Sequence, residues 1–530
     1  MQLPENKRAL GGIGCHYMAV NTVKGTEFFT QMGGEGTPWI GISPFSKEKH
    51  IFANLGDGTY KHSGILAVRA SLDAGVNITY KILYNDAVAM TGGQAIGGNW
   101  DVTGIVKQVS AEGVKRISIL SENPSTYKHL ETKGIKSLHR DSIITEQQAL
   151  SEYEGVSVLV YDQTCAAEKR RRRKRGLMHD PVKRVVINPE VCEGCGDCSL
   201  QSNCVSIEPL ETELGRKRRI NQSTCNKDYS CIKGFCPSFV TVDAEIKTKT
   251  VFGNIEGIPE PDIHESDGVT NIMLTGIGGT GVLTISAIIG MAAHLQNKDS
   301  SILDMTGLAQ KGGAVWSHIK VYEKGVLPFS HKISPASADL LLACDAVVGV
   351  ADNSLKVLNK HKSQVIMNID IDPVGVVGFG NGKTISEKTI FSRLNKFLDI
   401  KNCTTYNIQQ ISESLMGNKI TANVMMLGIA LQKGMIPISV RSVEKALILN
   451  GTSVKENLKA VQWGRWLAYD PQYVLNVSGF GKNRFTEYSP EDAELDHLIP
   501  IFSEKLTSYQ NKNLSLIHIS EPTRLLSMAD

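Results

Sequence analysis

The chain has 530 residues, 41% of them hydrophobic and 21% charged, proportions that exclude a largely disordered protein. At roughly 150 residues per domain the length predicts three or four domains rather than one core. With 57 Lys and Arg against 54 Asp and Glu the net charge is +3, which excludes whole-chain attraction to nucleic acid or a membrane surface. The start, MQLPENKRALGG, lacks a basic stretch followed by an apolar run, so no secretory signal is expected. Eleven cysteines then point to a reducing, cytoplasmic compartment, where tight Cys spacing reads as metal binding rather than disulfides.

From Lys49 to Tyr161 short apolar runs alternate with amphipathic stretches: HIFANL, SGILAVRASLDAG, NITYKILY, KRISIL and VSVLVY. This pattern predicts a parallel α/β sheet. Gly56-Asp57-Gly58 ends one strand, Asn85-Asp86 ends the next, and a helix is expected between them over Ser63 to Ala74. A right-handed βαβ unit of this kind opens both strand ends on one sheet edge, where Asp57 and Asn85 can meet. Magnesium takes oxygen ligands and keeps phosphate oxygens in its shell, so the Asp57 carboxylate, the Asn85 side-chain oxygen and the Ala87 carbonyl form a candidate metal site. Gly56 and Gly58 would let the backbone approach a diphosphate without a Cβ in the way. Taken alone, GDG reads equally well as a plain Asp-Gly turn.

The run Lys169 to Arg175, KRRRRKR, breaks the α/β pattern. One reading is a solvated, self-repelling segment or localisation signal; the other is a patch that steers an acidic electron acceptor. Seven cysteines follow within 45 positions. Cys192, Cys195 and Cys198 form CxxCxxC, and Cys225, Cys231 and Cys236 follow, the last preceding Pro237. On the bacterial two-cluster ferredoxin template Cys236 completes the first iron-sulfur cluster, and Cys204 crosses to join Cys225 and Cys231. The second cluster is then one cysteine short, and CNKDYSC puts Asp228 where the missing ligand belongs. One ordinary 4Fe-4S cluster is expected, with a second that either uses Asp228 as an oxygen ligand or holds three irons. A zinc ribbon is the competing reading.

Val269 to His294 contains no charged residue, but its glycines divide it into a strand and a helix, which argues against a membrane span. Gly276, Gly278 and Gly281 match GxGxxG, and Asp304 ends the next strand pattern, SILD, so a dinucleotide site or a phosphate cradle is a reading of this loop. A second α/β pattern runs through DLLLACDAVVGV and QVIMNID to about Trp466. The terminal LSLIHISEPTR, Leu514 to Arg524, matches a translated sequencing-adapter end, so residues 514–530 are expected to be foreign to the natural protein.

Two groups of motifs carry a family resemblance. GIGCHYMA, QMGGEG, GDGTYKHSG and YNDAVAMTGGQ resemble the thiamine-diphosphate domain of the 2-oxoacid:ferredoxin oxidoreductases; LTGIGGTGV, LDMTGLAQKGGAVWSHIKV and GNKITANVMMLGIALQKG resemble their gamma domain. The order of parts, over about residues 8 to 513, is similar to the long fused bacterial indolepyruvate ferredoxin oxidoreductases. The resemblance implies a thiamine-diphosphate domain over 1–168, a basic linker over 169–185, a ferredoxin-like iron-sulfur insert over 186–245, a linker over 246–268, a gamma-type α/β domain over 269–466 and a further helical region over 467–513. It places Cys15 and His16 near the thiazolium ring, with Gln310, Lys311 and Gly312 near the active centre. It implies thiamine diphosphate and Mg2+ as cofactors, an aryl 2-oxoacid substrate, coenzyme A as acyl acceptor, ferredoxin as electron acceptor and a homodimer. It argues against NAD at the glycine loop. It also implies an upstream pyrimidine-binding domain, with its activating glutamate, before Met1. A relative acting on pyruvate, 2-oxoglutarate or branched-chain oxoacids would share every motif. An NAD-dependent iron-sulfur dehydrogenase and a non-catalytic electron-transfer module are the other readings.

Overall fold

The apolar runs of the first 162 residues become strands of one sheet. A computed structural model describes residues 3–21, 25–88, 93–98, 100–202, 204, 206–212, 215–243, 257–263, 268–306, 313–326, 328, 330–371, 387–479 and 503–515. The strands are β1 (Ala9–Gly11), β2 (Thr26–Phe29), β3 (Ile51–Gly56), β4 (Ile78–Tyr84), β5 (Arg116–Ser121), β6 (Ile135–His139) and β7 (Val156–Asp162). They run parallel in the order β2-β1-β3-β4-β7-β5-β6. Alternate residues divide between its faces. Ile51, Ala53 and Leu55 of β3 pack with Ile78, Tyr80 and Ile82 of β4 against helices α1 (Ile65–Asp73) and α2 (Val102–Ala111). The opposite face carries buried polar groups: Thr79 and Lys81 of β4, Ser157 of β7 and Ser118 of β5. Its outer end is covered by Leu150 of helix α3 (Ile143–Ser151) on Leu120 and Leu159.

β3 and β4 are hydrogen-bonded neighbours, from Ile51 opposite Ile78 to Gly56 opposite Leu83, as the βαβ reading expects. The helical segment between them begins earlier than expected. Turns at Asp57–Thr59 and a π turn at Tyr60–Gly64 lead directly into α1. Glycine is a poor helix former, but an Asp in the first turn accepts backbone N–H groups that a helix start leaves unpaired.

The basic run is helical: α4 spans Ala166–Lys174. Beyond it, β8 (Lys183–Ile187) pairs antiparallel with β11 (Phe239–Asp243), and a hairpin joins β9 (Ile207–Thr212) to β10 (Gly215–Ile220). Gly194 lies in the CEGC turn with φ +73°, and a Cβ there would stand 2.1 Å from the Arg216 carbonyl, so this turn needs glycine twice over.

The second α/β unit contains β12 (Val269–Ile277), β13 (Lys298–Thr306), β14 (Ala314–Glu323), β15 (Leu340–Ala343), β16 (Gln364–Asn368) and β17 (Cys403–Tyr406), in the order β13-β14-β12-β15-β16-β17. β12, β15, β16 and β17 are parallel, and β14 is antiparallel to both its neighbours. The uncharged run after Val269 is β12 followed by helix α5 (Val282–Leu295); among the described residues no helix is long and apolar enough to cross a membrane. Helices α6 (Ile408–Met416), α7 (Ala422–Gln432), α8 (Val440–Asn450), α9 (Val454–Tyr469) and α10 (Pro471–Ser478) complete its core. α7 is buried on almost every face because it crosses α9 at Gly428 and Gly464.

Candidate active site at the carboxyl edge of the first sheet

In a parallel sheet, ligands bind outside the carboxyl ends of the strands where the order reverses. Here β2 lies on one side of β1 and β3 on the other, so the switch falls between β1 and β3. Four of the sequence-selected segments follow strands at this edge: Gly12 to His16 after β1, the Gly33 to Gly36 loop after β2, Asp57 after β3 and Asn85 after β4. The Thr59 hydroxyl donates to the Ile13 carbonyl at 3.4 Å, joining the first segment to the third.

Asp57 and Asn85 meet. Asp57 is 2% exposed; its Oδ1 accepts from the Gly58 amide at 2.8 Å, and its Oδ2 from the amides of Asn85 at 2.7 Å and Asp86 at 2.9 Å. Burial raises the Asp57 pKa, opposed by these amide hydrogen bonds. A divalent cation would supply the compensating charge. Asn85 Oδ1 is buried and accepts no hydrogen bond from any described residue, as expected of an oxygen kept for a ligand. A Cβ at Gly56 would meet nothing within 4 Å, and one at Gly58 only Val88 Cγ2 at 3.7 Å, so both glycines border open space. Ala87 is buried on the same loop. Carboxylate, amide oxygen and glycine-bordered space together fit a magnesium ion with a diphosphate.

His16 and Cys15 open the 3-10 turn Cys15–Asn21. Cys15 is exposed, whereas His16 is buried, accepts from the Gly12 amide at its Nε2 (3.2 Å), and is pushed down to about 4 by burial and by the neighbouring Lys81. Its imidazole is therefore neutral at physiological pH. Glu35 lies against Gly12, where a Cβ would fall 2.4 Å from Glu35 Cγ, yet sequence reasoning passed over it. It is fully buried, Oε2 accepts from the Gly33 amide at 2.8 Å, Oε1 accepts from no described residue, and burial raises its pKa. The signal available was an acid flanked by glycines in an otherwise uncharged motif. His62 is exposed and contacts Ser63 Oγ at 2.8 Å, as a surface residue would.

The seven cysteines of the central block are unbridged. Cys231 is pushed up to about 12 by burial, then by Cys204, Cys225 and Asp228; Cys225 is raised by burial, with Cys204 and Asp228 adding to it. Cys204 and Asp228 thus lie near both Cys225 and Cys231. Cys198 is likewise raised by burial, and Cys192 adds to it. Cys192, Cys198, Cys204 and Cys231 share a small apolar core with Ile187 and Ile207. The Gly194 and Lys227 amides donate to Cys192 Sγ and Cys225 Sγ, each at 3.4 Å. Cys195 is exposed, Cys236 Sγ is 3.0 Å from Ser238 Oγ, and Asp228 Oδ1 accepts from the Ser230 hydroxyl at 2.9 Å. Among the described residues no three His, Cys, Asp or Glu side chains converge on one ion position. Clustered, buried thiols of this kind suit a metal centre, which takes them as thiolates and releases their protons.

The basic run is not a solvated segment. Lys169 lies 3.6 Å from Glu122, Arg171 pairs with Glu168, Arg172 with Glu168 and Asp86, and Arg173 with Asp180, leaving these four basic side chains only 13–25% exposed. Glu168 and Asp180 lie close by in sequence, whereas Glu122 and Asp86 are brought in from tens of residues away.

The glycine loop differs from a dinucleotide fold. That fold sets the next strand parallel beside the first, whereas β13 stands at the sheet edge beyond antiparallel β14. Asp304 is engaged by the hydroxyls of Ser286 and Ser317. Gly276 packs where a Cβ would lie 2.7 Å from Val282 Cγ2, the Gly278 amide donates to Gly313, and Gly281 begins α5 with φ +88°. Asn423 Nδ2 donates to the Thr280 carbonyl at 2.9 Å, joining two of the gamma-like motifs. Gln310, Lys311 and Gly312 lie outside the described residues.

The pyruvate ferredoxin/flavodoxin oxidoreductase family matches residues 271–466. This segment is similar to a domain of the pyruvate ferredoxin/flavodoxin oxidoreductases. The indolepyruvate oxidoreductase subunit IorB of Archaeoglobus fulgidus is 27% identical over 196 residues, 37% of this chain and 92% of that protein. Subunit IorA of Thermococcus kodakarensis is 30% identical over 202 residues, 37% of this chain but 28% of that protein. Among solved structures, the gamma subunit of a keto/oxoacid ferredoxin oxidoreductase from Geobacter sulfurreducens is 22% identical, with a TM-score of 0.27, over 38% of this chain and 98% of that chain.

Proposed function

We propose that the chain serves the oxidative decarboxylation of an aryl 2-oxoacid resembling indolepyruvate to its acyl-coenzyme A, with ferredoxin as electron acceptor. The juxtaposition of Asp57 and Asn85 at the switch-point edge carries the reading. Relatives named indolepyruvate oxidoreductase favour the aryl substrate. Thiamine diphosphate, when bound, supplies the electron sink for release of carbon dioxide. Asp57, Asn85 and the Ala87 carbonyl would hold Mg2+, and Gly56 and Gly58 leave room for the diphosphate. Cys15 and His16 border the reacting ring in this reading, with His16 adding no charge there. Cys192, Cys195, Cys198 and Cys236 would hold one 4Fe-4S cluster, and Cys204, Cys225, Cys231 and Asp228 a second that accepts electrons singly.

An anaerobic assay tests this. The chain, extended by the upstream pyrimidine-binding segment that the resemblance implies, is incubated with thiamine diphosphate, Mg2+, coenzyme A, oxidised ferredoxin and indolepyruvate, pyruvate, 2-oxoglutarate or a branched-chain oxoacid. Ferredoxin reduction at least tenfold faster with indolepyruvate is expected. A chain that holds thiamine diphosphate and reducible clusters, yet reduces ferredoxin with none of the four acids, would overturn the proposal.

A further inference from the structure

Helix α4 lies between the two candidate cofactor sites, and its arginines reach both. Arg170 and Arg173, three residues apart and so on one face, donate to the carbonyls of Thr224 at 3.1 Å and Asn226 at 2.6 Å, the two residues that flank Cys225. Arg172, turned about 100° from Arg173, donates instead to the Asp86 carbonyl at 3.1 Å and lies 3.3 Å from its carboxylate, next to Asn85. A Cβ at Gly93 would collide with Arg171 and Glu168, so Gly93 rests directly on this helix. Asp86 and Asn226 therefore both rest on this one helix, held by adjacent arginines on neighbouring faces.

The charges around Cys225 favour a negative guest. Arg170, Arg173 and Lys227 face the segment, with Asp180, shared by Arg173 and Lys227, and Asp228 as the acids.

We propose that Arg170 and Arg173 are positioning and tuning residues for the cluster of Cys204, Cys225, Cys231 and Asp228. The inference rests on the iron-sulfur reading above. One-electron reduction adds one negative charge to the cluster, and neighbouring guanidinium groups favour that state, raising its potential. The two electrons released when the oxoacid is oxidatively decarboxylated leave one at a time, each passing through the clusters to a separate ferredoxin.

The test is a redox titration of the anaerobically reconstituted full chain, followed by electron paramagnetic resonance. Arg170→Gln and Arg173→Gln are made singly, so that each variant keeps one carbonyl contact. Each should lower the reduction equilibrium of the second cluster at least tenfold, about 59 mV for a one-electron couple. The cluster of Cys192, Cys195 and Cys198 should shift less than threefold. Arg173→Lys, which keeps the charge, should stay within threefold of the parent, and it decides the matter if a Gln variant does not fold. Unchanged potentials, equal shifts of both clusters, or a tenfold fall in Arg173→Lys would overturn the inference. A parent chain that takes up no cluster would instead overturn the iron-sulfur reading.

Discussion

Lys81 shows what a single buried base does to this sheet. It is 3% exposed, its ammonium donates to Gln147 Oε1 at 2.9 Å and sits 5.1 Å from the Phe52 ring, and burial pushes it down to about 7 from 10.5. Between these values the unfolded chain binds a proton that the folded chain does not. Stability must therefore rise with pH over that window, by up to about 1.4 kcal/mol per pH unit. His16, held near 4 against 6.5, adds the same sign at acid pH, so stability falls as pH drops from 6.5 toward 4. The urea midpoint should climb from pH 7 to 9, and Lys81→Met should flatten that climb; a parent midpoint independent of pH would contradict the assignment. Asp228 offers a second test. Asp228→Cys should turn the spectrum of the second cluster into one of ordinary all-cysteine type, whereas identical spectra before and after would show that Asp228 binds no iron.

At the scale of elements, α7 and α9 cross so closely that a Cβ at Gly464 would lie 1.9 Å from the Met425 carbonyl and one at Gly428 2.2 Å from that of Val461. Backbone cannot yield as a flexible side chain does. Gly464→Ala should thus cost at least about 1–3 kcal/mol by overpacking, read from denaturant unfolding; a neutral substitution would mean that the helices stand further apart. β3, β4, β5 and β7 were legible because four-to-eight-residue apolar runs bounded by turn residues have few other solutions in a parallel sheet, whereas β1, β2 and β6 carry no such run. The meeting of Asp57 with Asn85 was legible for the same reason, since adjacent parallel strands fix where their ends open. The helical turn at Asp57 was not, because two glycines weigh against helix locally while the capping carboxylate acts through its amides. Nor could the alternation of SILD show that β13 lies beyond an antiparallel strand, since the pairing partner of a strand is set by tertiary contacts.

Across the whole molecule, contacts between distant segments carry what local pattern cannot. Lys419, inside the GNKITANVMM motif, donates to Glu208 Oε1 at 2.7 Å, and Asn221 reaches the same oxygen at 3.1 Å while Arg219 takes Oε2 at 3.1 Å. Glu208 is buried, and this network joins the cysteine block to the second α/β unit. Lys419→Met should cost about 1.5–3 kcal/mol, as for a lost hydrogen bond to a charged group. A double-mutant cycle with Glu208→Gln should give a coupling of about 0.5–3 kcal/mol; additive effects would show that the pair contributes nothing to docking. Partners 211 residues apart leave no trace in periodicity. The most direct test of the assignment at the carboxyl edge of the first sheet is calorimetric titration with thiamine diphosphate, with and without Mg2+. Binding that requires Mg2+ and weakens at least tenfold in Asp57→Asn is predicted; binding indifferent to both the metal and the substitution would contradict it.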